Sequence, residues 1–205
     1  MFDWSYILDF WFGELDDDGL PSREKRDQWF AASRALDREI RQRFLSLVLV
    51  ASEDGLSHWR HDPRGALAEI ILLDQFPRNI YRRTRMAFEY DGAARKRCRE
   101  GLKQGLDTLL EPVMRGFFYM PLQHSERLQD QETALELYEQ LAALGQNPRL
   151  KQFLNNFLRF ARYHHEIIAR FGRFPHRNAI LGRSSTPEEE AFLGDGASHF
   201  GQGES

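Results

Sequence analysis

The segment PRLKQFLNNFLRFARYHHEIIARF, residues 148–171, predicts a long amphipathic helix. At 100° per residue its leucine, phenylalanine and isoleucine side chains fall on one broad arc, and most of its charged side chains fall on the other. The Asn-Pro pair at 147–148 suits the start of a helix, and Gly172 suits its end. His164 and His165 fall inside the apolar arc, where an imidazole needs partners for its nitrogens.

The same helix signals recur on both sides of this segment. Helices are expected to begin at Pro63, Pro112 and Pro187, and Pro77 and Pro121 are expected to end the first two. Further helices are predicted over residues 3–11, 36–53, 84–103 and 125–144, with a short one around Trp29. No alternating or β-branched run predicts a strand. We therefore expect an all-α fold of about eight to ten helices in stacked antiparallel hairpins. Residues 1–193 would form a single helical domain, and the Gly- and Ser-rich residues 194–205 a flexible tail.

Composition excludes several classes of protein. The chain has 205 residues, 41% of them hydrophobic, and a net charge of −3. This apolar content excludes a disordered chain, and the single cysteine, Cys98, excludes a disulfide scaffold. The net charge argues against a nucleic-acid partner, and no apolar stretch is long enough to span a membrane. Because the first residues carry no basic leader, the protein is expected in the cytoplasm.

Two similar turns follow apolar helices, FPRN at residues 76–79 and FPHRN at residues 174–178. They are either two helix-ending turns that cap free carbonyls or two halves of one ligand site. In the second interpretation the guanidinium groups bind a carboxylate or a phosphate. The candidate ligand-binding residues are Asp74, Arg78, Asn79, Arg82, Arg173, His176, Arg177, Asn178 and Arg183.

Asp74 belongs to this set because of its position on the apolar stripe of the helix that begins at Pro63. An isolated carboxylate there would cost several kcal/mol, so it must be neutral or paired. Arg78 is four residues further on, and Arg173 or Arg177 could reach it across the fold. Asp74 is therefore expected near arginine, whether as a structural ion pair or as part of a site.

A polar island after Pro121 supplies candidates for acid–base chemistry. His124 and Glu126 are expected near the start of the helix over 125–144, where they cap the helix or help to bind an anion. The candidate catalytic residues are His124, Glu126 and His165, with His164 or His176 as alternatives to His165. No nucleotide-binding loop and no standard zinc spacing occurs, so neither a cofactor nor a metal site is predicted.

Four motifs resemble the bacterial family known as domain of unknown function 924. They are ILDFWFG at residues 7–13, LDQFPRNIYR at 73–82, MPLQHSE at 120–126 and FGRFPHRN at 171–178, followed by LGRSSTPEE at 181–189. The resemblance implies an all-α fold similar to that of tetratricopeptide-repeat proteins. It implies no established activity, so no residue acquires a role from it.

Three functions are compatible with these observations. The first is a binding module whose arginine-lined groove takes an anionic small molecule or an acidic peptide. The second is an enzyme that acts on an anionic small molecule by histidine and glutamate acid–base chemistry. The third is a structural interaction unit or a homo-oligomer that uses Trp29, Phe30 and Trp59 as exposed aromatics.

Overall fold

The computed structural model describes residues 3–30 and 32–194, and these ranges contain ten α-helices and no β-strand. The helices are α1 (Ser5–Trp11), α2 (Arg23–Phe30), α3 (Arg34–Ser52), α4 (Pro63–Ile80), α5 (Asp91–Lys103), α6 (Pro112–Gln123), α7 (Leu128–Ala142), α8 (Pro148–Phe171), α9 (Asn178–Leu181) and α10 (Pro187–Gly194). Four 3₁₀ segments connect them, at Ser57–His61, Arg85–Phe88, Leu106–Leu109 and Pro175–Arg177. The predicted all-α fold is confirmed.

The helix ends follow the predicted capping chemistry. The Asn147 side chain accepts a hydrogen bond from the backbone N–H of Leu150 at 2.8 Å, which begins α8. Gly172 ends the same helix with a φ of 68°, a left-handed conformation that favours glycine. At α10, Thr186 and Glu189 exchange backbone and side-chain hydrogen bonds in a capping box.

Two predicted helix ends are wrong. Pro77 and Pro121 do not end their helices, because α4 continues to Ile80 and α6 to Gln123. A proline removes one backbone hydrogen bond of the helix that contains it. Pro77 and Pro121 lie in the last turns of α4 and α6, so few helical hydrogen bonds follow them. Both prolines are also buried, so their packing offsets that loss.

A buried aromatic cluster forms the centre of the core. Trp29 packs edge-on against Phe117 with ring centroids 4.6 Å apart, and Phe44 packs against Phe76 at 4.8 Å. The indole N–H of Trp29 donates to the backbone carbonyl of Trp11 at 2.8 Å, so its polar atom is satisfied inside the core. Helix α4 runs through this core and packs against α1, α3, α5 and α6.

The aromatics expected on the surface are inside the protein. Trp29 and Trp59 are buried, Trp29 within the aromatic cluster, so the interaction surface predicted from them is wrong. The side chain of Phe30 lies outside the described residues, as do residues 195–205 of the predicted tail. Within the part of the chain that the structure describes, no helix has the length and apolar character needed to cross a membrane.

Helices α6 and α8 pack closely at Gly116, so a larger residue at this position is predicted to destabilise the fold. A Cβ added there would overlap the ring of Phe157, which is held in the core. We expect Gly116→Ala to lower the free energy of unfolding by about 2 kcal/mol, measured by urea denaturation. Gly92→Ala in α5 is the matched control, because its Cβ would meet no atom within 4 Å. A Gly116→Ala protein as stable as Gly92→Ala would contradict this packing.

Candidate functional site

The carboxylate of Asp74 lies inside the fold with positive and polar partners around it. Its Oδ1 lies 3.3 Å from Nη1 of Arg78 and 2.8 Å from Nδ1 of His124. The side-chain amide of Gln75 donates to its other oxygen. Burial opposes ionisation of Asp74, but Arg78 and His124 outweigh it and hold the pKa of Asp74 well below its ordinary value. Asp74 is therefore an ionised carboxylate within the core.

Asp91, the first residue of α5, connects the two proline turns; the first of these, residues 76–79, is the last turn of α4 and not a loop after the helix as predicted. Arg78 of the first turn donates two hydrogen bonds to its carboxylate, at 2.8 and 3.1 Å. Arg177 of the second turn places Nη1 3.6 Å from Oδ2 of the same carboxylate. The turns, a hundred residues apart in the chain, thus meet at a single acidic side chain.

Arg177 lies between two aromatic rings. Its guanidinium carbon is 4.6 Å from the ring centroid of Phe88 and 4.4 Å from that of Phe174. Its side chain is 8% exposed. Among the described residues, Asp91 lies beyond hydrogen-bond distance and the buried Nε has no partner. Burial, aided by the like charge of Arg78, lowers the pKa of Arg177 to about 10, so Arg177 remains a cation at neutral pH.

Two imidazoles complete the group. Nδ1 of His124 must carry its hydrogen, because it faces the ionised Asp74 carboxylate, which can only accept. His164 lies with its ring 6.2 Å from that of His124 and donates from Nδ1 to the carbonyl of Phe160 at 2.8 Å. Burial lowers the pKa of His164 to about 3, and burial with the charge of Arg78 lowers that of His124, so both rings are neutral at pH 7.

We call this group the Asp91 cluster. Its members are Asp74, Arg78, Asp91, His124, His164 and Arg177. Its outer edge reaches solvent, since the side chains of Arg78, Asp91 and His124 are 14–15% exposed. The cluster can both accept hydrogen bonds from a ligand and donate them to it. The ring of His124 offers a free lone pair at Nε2, and Arg177 offers N–H groups without hydrogen-bond partners among the described residues.

The other predicted arginines form ion pairs outside the cluster. Arg82 donates to Asp37 at 2.7 and 2.8 Å and to the side chain of Asn79 at 2.9 Å. Arg173 holds Glu189 through two hydrogen bonds of 2.6 and 2.8 Å. These guanidinium groups pair with carboxylates on α3 and α10.

Glu126 also has a structural position. Its carboxylate accepts from Arg183 at 2.7 and 3.0 Å and from the backbone N–H of Phe174 at 2.9 Å. Asn178 accepts from Arg183 at 3.0 Å and donates to Glu189. Burial would raise the pKa of Glu126, but Arg183 and the Phe174 N–H lower it. Glu126 thus fixes the second turn beside the cluster, although it was predicted as a catalytic group.

The histidine predictions are only partly met by this geometry. His164, not His165, faces the ring of His124, and His165 is half-buried on the adjoining position of α8. The ring of His176 lies 5.5 Å from that of Phe174. The expected helix start at 125 is wrong, since α7 begins at Leu128 and His124 is the C-cap of α6. The physical reason is that α6 continues through Pro121.

Sequence reasoning missed Asp91 and Phe88. Residues 84–103 were predicted to form one helix or a broken pair, interrupted near Asp91-Gly92. In the structure Asp91 begins α5, after the 3₁₀ segment that carries Phe88. An acidic residue in a first helical turn is the signal that could have indicated the start. Its pairing with both arginines depends on packing between distant elements, which no local pattern encodes.

The described surface has hollows elsewhere. One of about 510 Å³ lies along α8 and includes Arg159, Phe160 and Tyr163, and another of about 670 Å³ lies between α2 and α3. Neither is lined by the predicted site residues, so the arginine-lined groove stays a prediction. Within residues 3–30 and 32–194, no three histidine, cysteine or acidic side chains are grouped so as to hold a metal ion.

Together these features define an all-α protein with a buried ionic cluster that joins two proline turns. The family model described as bacterial protein of unknown function, DUF924, matches residues 7–197, and the chain belongs to this family. The predicted resemblance is confirmed. A solved protein of unknown function from Agrobacterium tumefaciens is similar, with 33% identity, a TM-score of 0.79 and coverage of 94% of this chain and 97% of that one. The comparison with curated proteins finds no match.

The pair of Glu189 and Arg173 makes a pH-dependent prediction. The hydrogen bonds from Arg173 lower the pKa of Glu189 to about 2, from an ordinary 4.5. The ionised carboxylate of Glu189 therefore adds its full share to the free energy of unfolding above pH 4.5. This stabilisation is lost as the pH falls towards 2. We expect Glu189→Gln to cost about 2 kcal/mol of unfolding free energy at pH 6, and much less at pH 2.5.

The measurement is chemical denaturation of both proteins at each pH. Glu190→Gln is the matched control, because Glu190 is the exposed neighbour on the same helix. A difference between wild type and Glu189→Gln that stays constant from pH 6 to pH 2.5 would show that the carboxylate charge does not stabilise this turn.

Proposed function

We propose that the protein is a binding module for a small anionic molecule, which it receives at the Asp91 cluster. The observation that carries the proposal is Arg177, a buried cation with no hydrogen-bond partner among the described residues. Buried polar groups without partners are rare, because each costs free energy that a hydrogen bond would recover. An anion at the edge of the cluster would supply those bonds.

The low solvent exposure of the cluster favours a small molecule over an acidic peptide. The cluster side chains that reach solvent are at most 15% exposed, which admits a carboxylate or a phosphate group and not an extended chain. The rings of Phe88 and Phe174 pack against the Arg177 guanidinium, so we expect an anion to approach it in the plane of the group. This is the direction in which a guanidinium donates hydrogen bonds. A cytoplasmic location and the absence of a nucleic-acid partner remain parts of this proposal.

Arg177→Gln tests this function. We expect wild type to show a saturable rise in melting temperature with at least one of a panel of small carboxylates and inorganic phosphate, at constant ionic strength. Saturation matters because a ligand that binds the folded state stabilises it by RT ln(1 + [L]/Kd). The rise should disappear in Arg177→Gln, since the group that receives the anion is gone.

Arg85→Gln is the matched control, because Arg85 is exposed on the 3₁₀ segment that carries Phe88 and its loss changes the net charge equally. Circular dichroism confirms that each variant is folded. The proposal fails if wild type shows no saturable rise, or if both variants retain it.

A second candidate function rests on the pair of Asp74 and His124. A carboxylate that holds Nδ1–H of a neutral imidazole leaves Nε2 as a base, the arrangement by which enzymes remove protons. In this alternative the protein is an enzyme that acts on the same anionic molecule. His164 would take the place that the sequence suggested for His165.

Hydrolysis of 4-nitrophenyl acetate tests the basicity of His124. We expect wild type to exceed His124→Gln by about a hundredfold, the lower end of general-base effects. Because the pKa of His124 lies below 6.5, the rate should be constant above that pH and fall below it. His165→Gln is the control and should retain the wild-type rate. Equal rates in wild type and His124→Gln would remove this candidate.

A further inference from the structure

The charges of the Asp91 cluster cancel before any ligand binds. Arg78 and Arg177 are cations, Asp74 and Asp91 are anions, and both imidazoles are neutral at pH 7. The neighbouring pair of Glu126 and Arg183 also sums to zero. An anion that enters this group therefore leaves one uncompensated negative charge in a site with little solvent. Such a charge is costly unless a proton accompanies it.

His124 is the group in the cluster best placed to take that proton. Its Nδ1–H already faces the Asp74 carboxylate, so an imidazolium formed at His124 would have a counter-charge in contact. Its Nε2 has no hydrogen-bond partner among the described residues, and its side chain is 14% exposed, so a proton from solvent can reach it. Asp74 is held ionised by Arg78 and His124, and Asp91 accepts two hydrogen bonds from Arg78.

Among the described residues, the charged groups that surround His124 already contact one another. From α4 it is faced by Asp74 and Arg78, from α5 by Asp91, and from α8 by His164. Arg177 reaches the cluster from the 3₁₀ segment Pro175–Arg177. On α7, Asp130 is bound by Arg95, Arg99 and Ser125. Before the start of α6, Asp107 is bound by Arg115 and Tyr119.

We propose that the site binds a monocarboxylate together with one proton, which is taken from solvent onto Nε2 of His124. This inference rests on the proposed function and specifies its ligand class and its pH dependence. One proton restores neutrality for a single negative charge, whereas a phosphate dianion would leave a second charge uncompensated. The ordinary pKa of His124 is lowered by burial and by Arg78, and a bound anion reverses that effect by adding a negative charge nearby.

The experiment measures the dissociation constants of sodium acetate and inorganic phosphate for wild type at pH 6, 7 and 8 by NMR titration at constant ionic strength. Acetate is ionised throughout, so its own titration does not contribute. If binding takes up one proton, the acetate Kd rises about tenfold for each unit of pH increase. This holds between the pKa of His124 in the free protein and its pKa in the acetate complex. We expect at least about a fivefold rise in the acetate Kd from pH 6 to pH 8, and acetate to bind more tightly than phosphate at pH 8.

Two variants identify the proton acceptor. His124→Gln should bind acetate with a Kd that does not change with pH, and His165→Gln should behave as wild type does. Acetate binding that is independent of pH in wild type overturns this inference and leaves the anion-binding function intact. The same holds for tighter binding of phosphate at pH 8. If neither acetate nor phosphate binds at any of the three pH values, this inference is overturned. The anion-binding function is then overturned for these two anions as well.

Discussion

Two carboxylates on α4, Glu69 and Asp74, have no exposed surface, and the structure depends on the hydrogen-bond donors that reach them. Glu69 accepts from Arg60 through two hydrogen bonds of 2.6 Å, and Asp74 is held by Arg78 and His124. Because α4 is buried on nearly every side, a carboxylate on it cannot turn towards water. Apart from Arg78, which lies on α4 itself, the partners come from elements that pack around the helix. Each of those contacts therefore also fixes the position of a neighbouring segment.

This requirement explains much of the arginine content. The chain has 28 lysine and arginine residues, of which only Lys25, Lys96, Lys103 and Lys151 are lysines. Arginine suits buried pairing because its planar group donates several hydrogen bonds at once to a carboxylate. The two hydrogen bonds from Arg78 to Asp91 and the two from Arg173 to Glu189 are of this kind. Most of the arginines that suggested a ligand groove therefore bind carboxylates of the protein itself.

The sequence was sufficient to predict the elements but not all the contacts between them. Helix α8 was predicted to the residue, because its proline start and glycine end are local signals. The ends of α4 and α6 were misplaced, since the tolerance of Pro77 and Pro121 depends on the core around them. Asp74 was expected beside arginine from its position on an apolar stripe, and Arg78 is there. The contact between Arg177 and Asp91 depends on tertiary packing between α4, α5 and the second turn, and no local signal predicts it.

Arg177 is the residue that a structural explanation accounts for least well. A cation held between Phe88 and Phe174 gains a favourable interaction with both rings. Yet methionine or leucine would fill the same space without the cost of removing a charge from water, and such replacements of buried ionic groups are often neutral or stabilising. The guanidinium gives the fold a single long contact to Asp91, whereas Arg78 already bonds to that carboxylate twice. This buried guanidinium, which has no hydrogen-bond partner among the described residues, is the reason why we propose an anionic ligand. An anion would form the hydrogen bonds that the folded chain leaves unmade.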